Sequence, residues 1–134
     1  MTRKSEILVV DDDVDFSDAL RIILENNGYV VRTANDGSEA LRILEIWRPN
    51  LIIMDLIMTT DTEGFDVACL IRDNPRFADL PIIMVTCFLE KVRMEGPEKF
   101  QKILGEEWPA DWLFEKPVDT AKLLDKIGRV LGGD

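Results

Sequence analysis

The feature that most constrains the fold is a regular alternation of short apolar runs with longer amphipathic stretches along the whole chain. Runs at 7–10, 29–33, 51–54, 82–85 and 112–114 have the length of buried strands. The stretches between them repeat apolar residues at helical spacing. Such alternation is typical of βα units built on a parallel sheet. We therefore predict one α/β domain over residues 1–134, a doubly wound five-stranded parallel sheet with helices on both faces.

Capping and breaking residues mark the predicted helices. Gly28 is placed to end the first helix, and Asp36 and Asp119 are placed to cap the second and the last. The apolar stripes of the helices are interpreted as core packing and not as cofactor sites. Their members are Phe16, Leu20, Ile23 and Leu24 in the first helix, Ala40, Leu41, Leu44 and Trp47 in the second, Val67, Leu70 and Ile71 in the third, and Ala121, Leu124, Ile127 and Leu131 in the last.

Composition and charge exclude several classes of function. No apolar run approaches the roughly 18 to 20 residues of a membrane helix, and the N-terminus does not resemble a secretory signal, so a cytoplasmic location is expected. Cys69 and Cys87 lack metal-ligand spacing and are interpreted as reduced core thiols. The formal charge of −10 disfavours direct binding of nucleic acid. The chain has no histidine, which excludes histidine-based triads and zinc sites.

Polar side chains follow four of the predicted strands, at the edge where parallel α/β sheets bind ligands. They are Asp11, Asp12 and Asp13 after the first strand, Asp55 after the third, Thr86 after the fourth and the Lys116-Pro117 pair after the fifth. If Asp11, Asp12 and Asp55 converge without an arginine, the best explanation is Mg²⁺, which prefers oxygen ligands. Asp13 is instead interpreted as the start of the following helix.

A lysine and a hydroxyl beside such a metal suit a bound phosphoryl group, whose oxygens need a metal, a cation and a hydrogen-bond donor together. Lys116 and Thr86 are the candidates for these two roles. A carboxylate can itself be the nucleophile and form an aspartyl phosphate. Asp55 is the candidate nucleophile, because it is the single acid within the apolar segment LIIMDLIM.

The motifs VVDD, IIMD, MVT and EKP, in this order and on alternating βα units, resemble the receiver domain of bacterial two-component response regulators. The resemblance covers essentially the whole chain and implies the flavodoxin-like strand order 2-1-3-4-5. It implies a signalling module that catalyses only its own phosphorylation and dephosphorylation. A sensor histidine kinase or a phosphotransfer protein would supply the phosphoryl group. A downstream protein would be the output partner, since no output domain is expected in this chain.

The resemblance also implies the metal ligands. Asp55 would be the phosphoacceptor and, with Asp12, would bind Mg²⁺ directly. The backbone carbonyl of Ile57 would complete the protein ligands, and Asp11 would act mostly through water.

Two further residues would contact the phosphoryl group by the same resemblance. Thr86 would hydrogen-bond a phosphoryl oxygen, and Lys116 would pair with the phosphate. Pro117 fits a lysine-proline pair of the family, whose peptide bond is often cis.

Three features depart from the family pattern. Thr59 stands where a proline is usual and is interpreted as a tolerated loop variant. Ile57 and Phe88 are apolar at positions that flank the path of attacking water in the family. We therefore predict slow loss of the phosphoryl group, with a half-life longer than that of an Ile57→Asn, Phe88→Glu variant. The family's aromatic residue three positions before the lysine is Leu113 here, so coupling of Thr86 to an aromatic rotamer is not expected.

The 30-residue step from Thr86 to Lys116 is longer than usual in the family. It indicates either a specialised docking surface for the downstream partner or a longer helix packed on the core. Two other functions stay open: a receiver-like interaction module that is never phosphorylated, and a Mg²⁺-dependent phosphatase. Against the phosphatase, Ile57 occupies the position where such enzymes place a second acid. Homodimer formation is also left open.

Overall fold

The structure is a computed structural model in which residues 4–56, 63–87, 90, 94 and 110–132 are described. Its centre is a parallel sheet whose five strands are β1 (Glu6–Val10), β2 (Val30–Ala34), β3 (Leu51–Met54), β4 (Ile82–Thr86) and β5 (Trp112–Glu115). The strand order is β2-β1-β3-β4-β5, with every neighbouring pair parallel. The predicted flavodoxin-like order is confirmed.

The four α-helices of the described part are α1 (Val14–Asn26), α2 (Gly37–Ile46), α3 (Glu63–Asp73) and α4 (Thr120–Gly132). A 3₁₀ turn at Pro75–Phe77 leads from α3 towards β4. The helices cover both faces of the sheet, with α2 and α3 on one face and α1 and α4 on the other. Among these described helices, none is both long and apolar enough to cross a bilayer.

The side chains of each strand alternate between the two faces, because successive residues of a strand point to opposite sides. In β1, Leu8 and Val10 pack with the core on the α2–α3 side, whereas Ile7 and Val9 pack on the α1–α4 side. Such strands are buried on both faces, which explains why they appear in the sequence as continuous apolar runs.

The predicted helix caps are confirmed by hydrogen bonds. Asp36 accepts a bond from the Glu39 N–H at 2.8 Å, and Asp119 accepts one from the Lys122 N–H at 3.1 Å. Gly28, just after α1, has a φ of 91°, a left-handed conformation that glycine adopts without steric cost. The sequence therefore placed these three boundaries correctly.

The predicted second strand was wrong by one residue at each end. Tyr29 lies outside β2, because its N–H bonds back to the Leu24 carbonyl of α1 at 3.2 Å and so belongs to the helix exit. Ala34 is the last residue of the strand. Thr86 was predicted to follow β4 but is its last residue.

Two of the helix-face predictions, those for Leu70 and Ala121, were wrong. Leu70 is 59% exposed, because the inward face of α3 is formed by its neighbours Val67 and Ile71 in the helical repeat. Trp47, just past the last residue of α2, packs on the core as predicted. Ala121 is exposed, while Leu123, two residues and about 200° further round α4, is buried.

Candidate functional site

Backbone pairing brings two of the predicted site residues together at the carboxyl edge of the sheet. Val10 and Met54 are partners at the ends of β1 and β3, so Asp11 and Asp55 leave the sheet side by side. The Asp55 N–H donates to the Val10 carbonyl at 3.0 Å. The position of both carboxylates is therefore set by the sheet ladder and not by a free loop.

Three carboxylates converge at this edge. Asp11, Asp12 and Asp55 each present an oxygen, and these oxygens lie within 4.8 Å of one another. Asp11 and Asp55 are only 2% and 5% exposed, whereas Asp12 is open to solvent. This group of three carboxylates is called the acidic cluster below. Two of its carboxylates are buried and one is accessible to solvent.

Asp13 does not belong to the acidic cluster. Its side chain accepts a hydrogen bond from the Phe16 N–H at 3.1 Å and caps α1. Its own N–H donates to Asp11 Oδ1 at 2.9 Å. The prediction that Asp13 starts the helix is confirmed, and its backbone also orients Asp11.

Lys116 supplies the positive charge at the site. Its Nζ donates to Asp11 Oδ2 at 2.9 Å and to Asp55 Oδ2 at 3.2 Å. The backbone of Lys116 is held by a 2.8 Å bond from its N–H to the Thr86 carbonyl. The peptide bond to Pro117 is cis. A residue 105 positions from Asp11 thus contacts two of the three acids.

Burial and, to a smaller extent, the neighbouring charge of Asp55 raise the pKa values of two acids in the cluster. Burial raises the pKa of Asp11 to about 6, against the lowering effect of the hydrogen bond from Lys116. Loss of hydration, followed by the charge of Asp55, raises the pKa of Asp12. Burial would lower the pKa of Lys116, but its hydrogen bond to Asp11 and the nearby carboxylates raise it overall. The site therefore favours added positive charge.

The acidic cluster fits a hard divalent cation. Mg²⁺ binds oxygens at about 2.0 to 2.1 Å in an octahedron, so its ligands lie about 3 to 4 Å apart. Three oxygens within 4.8 Å are close to this spacing. When ionised, three carboxylates beside one ammonium carry two surplus negative charges, which a divalent ion balances. Asp11, Asp12 and Asp55 are thus the described residues that could hold such an ion.

Thr86 carries a buried hydroxyl with an unused hydrogen-bonding capacity. The residue is 0% exposed, and its Oγ1 has no hydrogen-bond partner among the described residues. A buried hydroxyl without a partner destabilises a protein, since it has lost its bonds to water. The Thr86 hydroxyl is therefore available to an acceptor that arrives from outside the fold.

Replacing Thr86 with valine is expected to stabilise the metal-free protein. The free energy of unfolding should rise by about 1 kcal/mol, because a methyl group replaces the unpaired hydroxyl. Urea denaturation without Mg²⁺ measures this change. Thr33→Val, at a half-exposed threonine of β2, is the matched control and should change stability by less than about 0.5 kcal/mol. A destabilised Thr86→Val protein would contradict the expectation.

Gly64, in the first turn of α3, was not identified as a site residue from the sequence. A Cβ at this position would overlap the Asp55 carbonyl oxygen and lie 2.6 Å from that of Leu56. The adjacent Glu63 accepts a 2.6 Å hydrogen bond from the Gly37 N–H of α2. The start of α3 is therefore packed directly on the backbone of Asp55. No local sequence signal reports such a contact.

Several predicted features lie outside the described residues. These are the Ile57 metal ligand, Thr59, Phe88 and most of the step between Thr86 and Lys116. Slow loss of the phosphoryl group and a specialised docking surface stay predictions. Leu113 is described and is 39% exposed, whereas Trp112 and Phe114 pack on the α1–α4 side. These two aromatics, which flank Leu113 in β5, therefore lie on the opposite face of the sheet from it.

Known proteins are similar to this chain in sequence and in fold. A sequence profile of the response regulator receiver domain matches residues 7–128. The chain belongs to the response regulator receiver domain family. Members of this family are signalling modules of two-component systems and not enzymes in the ordinary sense.

The relatives include transcriptional regulators. The receiver domain is 34% identical over 126 residues to the alkaline phosphatase synthesis transcriptional regulatory protein PhoP of Bacillus subtilis, covering 94% of this chain and 48% of PhoP. The chain spans about half the length of PhoP and of RpaA from Synechocystis. It is also 40% identical over 119 residues to an uncharacterized 14.6 kDa protein of Leptolyngbya boryana, covering 89% of this chain and 84% of that protein.

Solved structures share the receiver fold. The signal receiver domain of a histidine kinase from Syntrophus aciditrophicus superposes with a TM-score of 0.80 at 30% identity, covering 96% of this chain and 91% of that one. The response regulator TrrA of Thermotoga maritima, solved in complex with Mg²⁺-BeF, gives a TM-score of 0.74 at 28% identity, covering 94% and 98% of the two chains.

Proposed function

We propose that this receiver domain accepts a phosphoryl group on Asp55 from a sensor histidine kinase or a phosphotransfer protein, with Mg²⁺ as cofactor. The observation that carries the proposal is the convergence of the acidic cluster and Lys116 at the edge of the sheet where β4 ends in Thr86, whose buried hydroxyl has no partner among the described residues. A nucleophile, a cation and a hydrogen-bond donor are the groups that phosphoryl transfer requires.

The transfer is a displacement at phosphorus. An Asp55 carboxylate oxygen forms the new P–O bond while the P–N bond of a phosphohistidine breaks. The electron pair of that bond leaves with the imidazole nitrogen, which then takes a proton from water. Lys116, already 3.2 Å from Asp55 Oδ2, would pair with the transferred oxygens. No oxidant, reductant or second substrate is needed.

Mg²⁺ would be held by Asp12 and Asp55, with Asp11 acting mostly through water and Ile57 contributing its backbone carbonyl. When bound, it would neutralise charge on the transferring phosphoryl group. The low exposure of Asp11 and Asp55 supports this role, because water screens their charges weakly. Hydrolysis of the aspartyl phosphate would be catalysed by the same site, so the domain acts only on its own phosphorylation state.

Phosphorylation would act on partners through Thr86. A phosphoryl oxygen offers the buried hydroxyl the acceptor that it lacks among the described residues. This bond would stabilise a second arrangement of the Thr86 to Lys116 side and so change a protein-binding surface. The receiver domain would signal to a downstream protein in the cytoplasm and not bind nucleic acid itself.

Incubation with a small phosphodonor and Mg²⁺, followed by intact mass measurement, tests the proposal. We expect a single phosphoryl adduct that hydroxylamine removes, as it does acyl phosphates. A chelator should prevent its formation. A protein that stays unmodified would indicate the never-phosphorylated interaction module. Turnover of many phosphodonor molecules per protein would indicate the phosphatase.

Mg²⁺ is expected to stabilise the protein, and Asp12→Asn should remove most of this stabilisation. At a Mg²⁺ concentration about 100 times the dissociation constant, binding raises the free energy of unfolding by about 2.7 kcal/mol. Thermal denaturation with and without Mg²⁺ measures it. Because Asp12 adds charge to an acidic site, the metal-free variant should be slightly more stable, by about 0.5 kcal/mol.

Asp13→Asn is the matched control for this measurement. Asp13 neighbours Asp12 but caps α1 instead of joining the acidic cluster, and asparagine is an equally good cap. This variant should keep the full Mg²⁺ stabilisation. Equal losses in both variants would show that Asp12 has no specific part in metal binding.

A further inference from the structure

An aromatic ring lies over the ammonium group of Lys116. The ring of Phe16, in the first turn of α1, has its centroid 4.3 Å from Lys116 Nζ. A ring attracts a cation placed within about 6 Å of its centroid. The same nitrogen donates to Asp11 and Asp55. Among the described residues, the ammonium therefore has two charged partners and a neutral one.

These partners would behave differently during phosphoryl transfer. In the proposed function, Asp11 takes part in Mg²⁺ binding and Asp55 carries the phosphoryl group. Both carboxylates would therefore exchange part of their contact with Lys116 for other partners. The ring of Phe16 has no proton to exchange and is no ligand for Mg²⁺, so neither event removes it as a partner of the ammonium.

We propose that Phe16 is a positioning residue that keeps the Lys116 ammonium within bonding distance of the oxygens on Asp55 while the carboxylates engage Mg²⁺ and the phosphoryl group. This inference rests on the proposed function. A lysine ammonium sits on a flexible four-carbon stem, so it loses its position readily when its charged partners are occupied. The ring limits the displacement of the ammonium and does not compete with the carboxylates for Mg²⁺.

Phe16 also packs in the core, and the test must separate the two roles. The side chain is half-buried against the cluster on the α1–α4 side of the sheet. Tyr29 is a matched control, because it is half-buried against the same cluster but precedes β2 at the opposite end of the strands. Tyr29→Leu therefore makes the same change from aromatic to leucine away from Lys116.

The experiment compares Phe16→Leu, Phe16→Tyr and Tyr29→Leu with the wild type in the rate of adduct formation from a small phosphodonor at saturating Mg²⁺. We expect Phe16→Leu to be slower by about 3- to 10-fold. Phe16→Tyr, which keeps a ring, and Tyr29→Leu should react at close to the wild-type rate. Thermal denaturation verifies that each variant is folded at the assay temperature.

A second readout reports the contact directly. A ring face moves the NMR signals of a nearby methylene group upfield, so the ε-protons of Lys116 should be shifted in the wild type and in Phe16→Tyr. The shift should be lost in Phe16→Leu and kept in Tyr29→Leu. Absence of an upfield shift in the wild type would show that the ring does not lie over the ammonium in solution and would overturn the inference.

The outcomes separate this inference from the proposed function. If the wild type reacts and Phe16→Leu forms the adduct at the same rate, the inference fails and the proposed function stands. If Tyr29→Leu is slowed as much as Phe16→Leu, the loss comes from packing and the inference again fails. If the wild type forms no adduct, the proposed function fails and the role of Phe16 falls with it.

Discussion

Asp55→Asn is expected to abolish formation of the phosphoryl adduct. The amide that replaces the carboxylate has nearly the same shape but is a very weak nucleophile, so the rate should fall by about 100-fold or more. Intact mass after incubation with a phosphodonor and Mg²⁺ measures the loss. The fold should survive, because the hydrogen bond from the Asp55 N–H to Val10 involves only the backbone.

Stability in the absence of Mg²⁺ provides a check on this variant. Asparagine removes one negative charge from the acidic cluster, although it weakens the 3.2 Å contact with Lys116. The metal-free variant should therefore unfold no more easily than the wild type. Asp13→Asn, the control that leaves the cluster intact, should form the adduct normally. Full adduct formation by Asp55→Asn would place the phosphoacceptor elsewhere.

Gly64→Ala is expected to be strongly destabilising and to slow adduct formation. The added Cβ would overlap the Asp55 carbonyl oxygen and lie 2.6 Å from the oxygen and 2.7 Å from the carbonyl carbon of Leu56. All three atoms belong to the backbone, so no side-chain rotation relieves the overlap. The free energy of unfolding should fall by about 3 kcal/mol. Urea denaturation and the phosphodonor assay measure the two effects.

Gly128→Ala is the matched control for Gly64→Ala. Gly128 lies inside α4, and a Cβ there meets no atom within 4 Å among the described residues. Alanine is the better helix former, so this variant should gain about 0.5 to 1 kcal/mol of stability. Opposite signs for the two substitutions are therefore expected. A Gly64→Ala protein as stable as the wild type would show that α3 can move away from Asp55 at little cost.

Local patterns were sufficient for most of the fold. Apolar runs and helical spacing identified the five strands and the helices α1 to α4, because a strand buried on both faces and an amphipathic helix leave distinct periodicities. They did not identify the 3₁₀ turn at Pro75–Phe77. Asp36 and Asp119 were identified as caps because capping depends on residues within one turn. The errors at Tyr29 and Leu70 arose where a neighbouring element determined the structure. Tyr29 is held by a hydrogen bond to the end of α1, and the orientation of α3 on the sheet leaves Leu70 exposed.

The site was predictable in its members but not in its contacts. Asp11, Asp55 and Lys116 could be chosen because each follows a strand, and parallel strands end at the same edge of the sheet. Which carboxylates Lys116 contacts depends on the register of strands that are far apart in the chain. The contact between the Phe16 ring and Lys116 depends on the same register. From the helical spacing alone, Phe16 could be predicted only as a core residue.

The sequence by itself determined the order of the elements, the strand ends on which the polar residues lie and the family of the domain. Those properties follow from periodicity and short motifs, which are local. Only the tertiary structure decided that Lys116 contacts both Asp11 and Asp55, that Thr86 has a buried hydroxyl without a described partner, and that Gly64 packs on the backbone of Asp55. Each of these depends on packing between elements, which strand register and helix orientation set together.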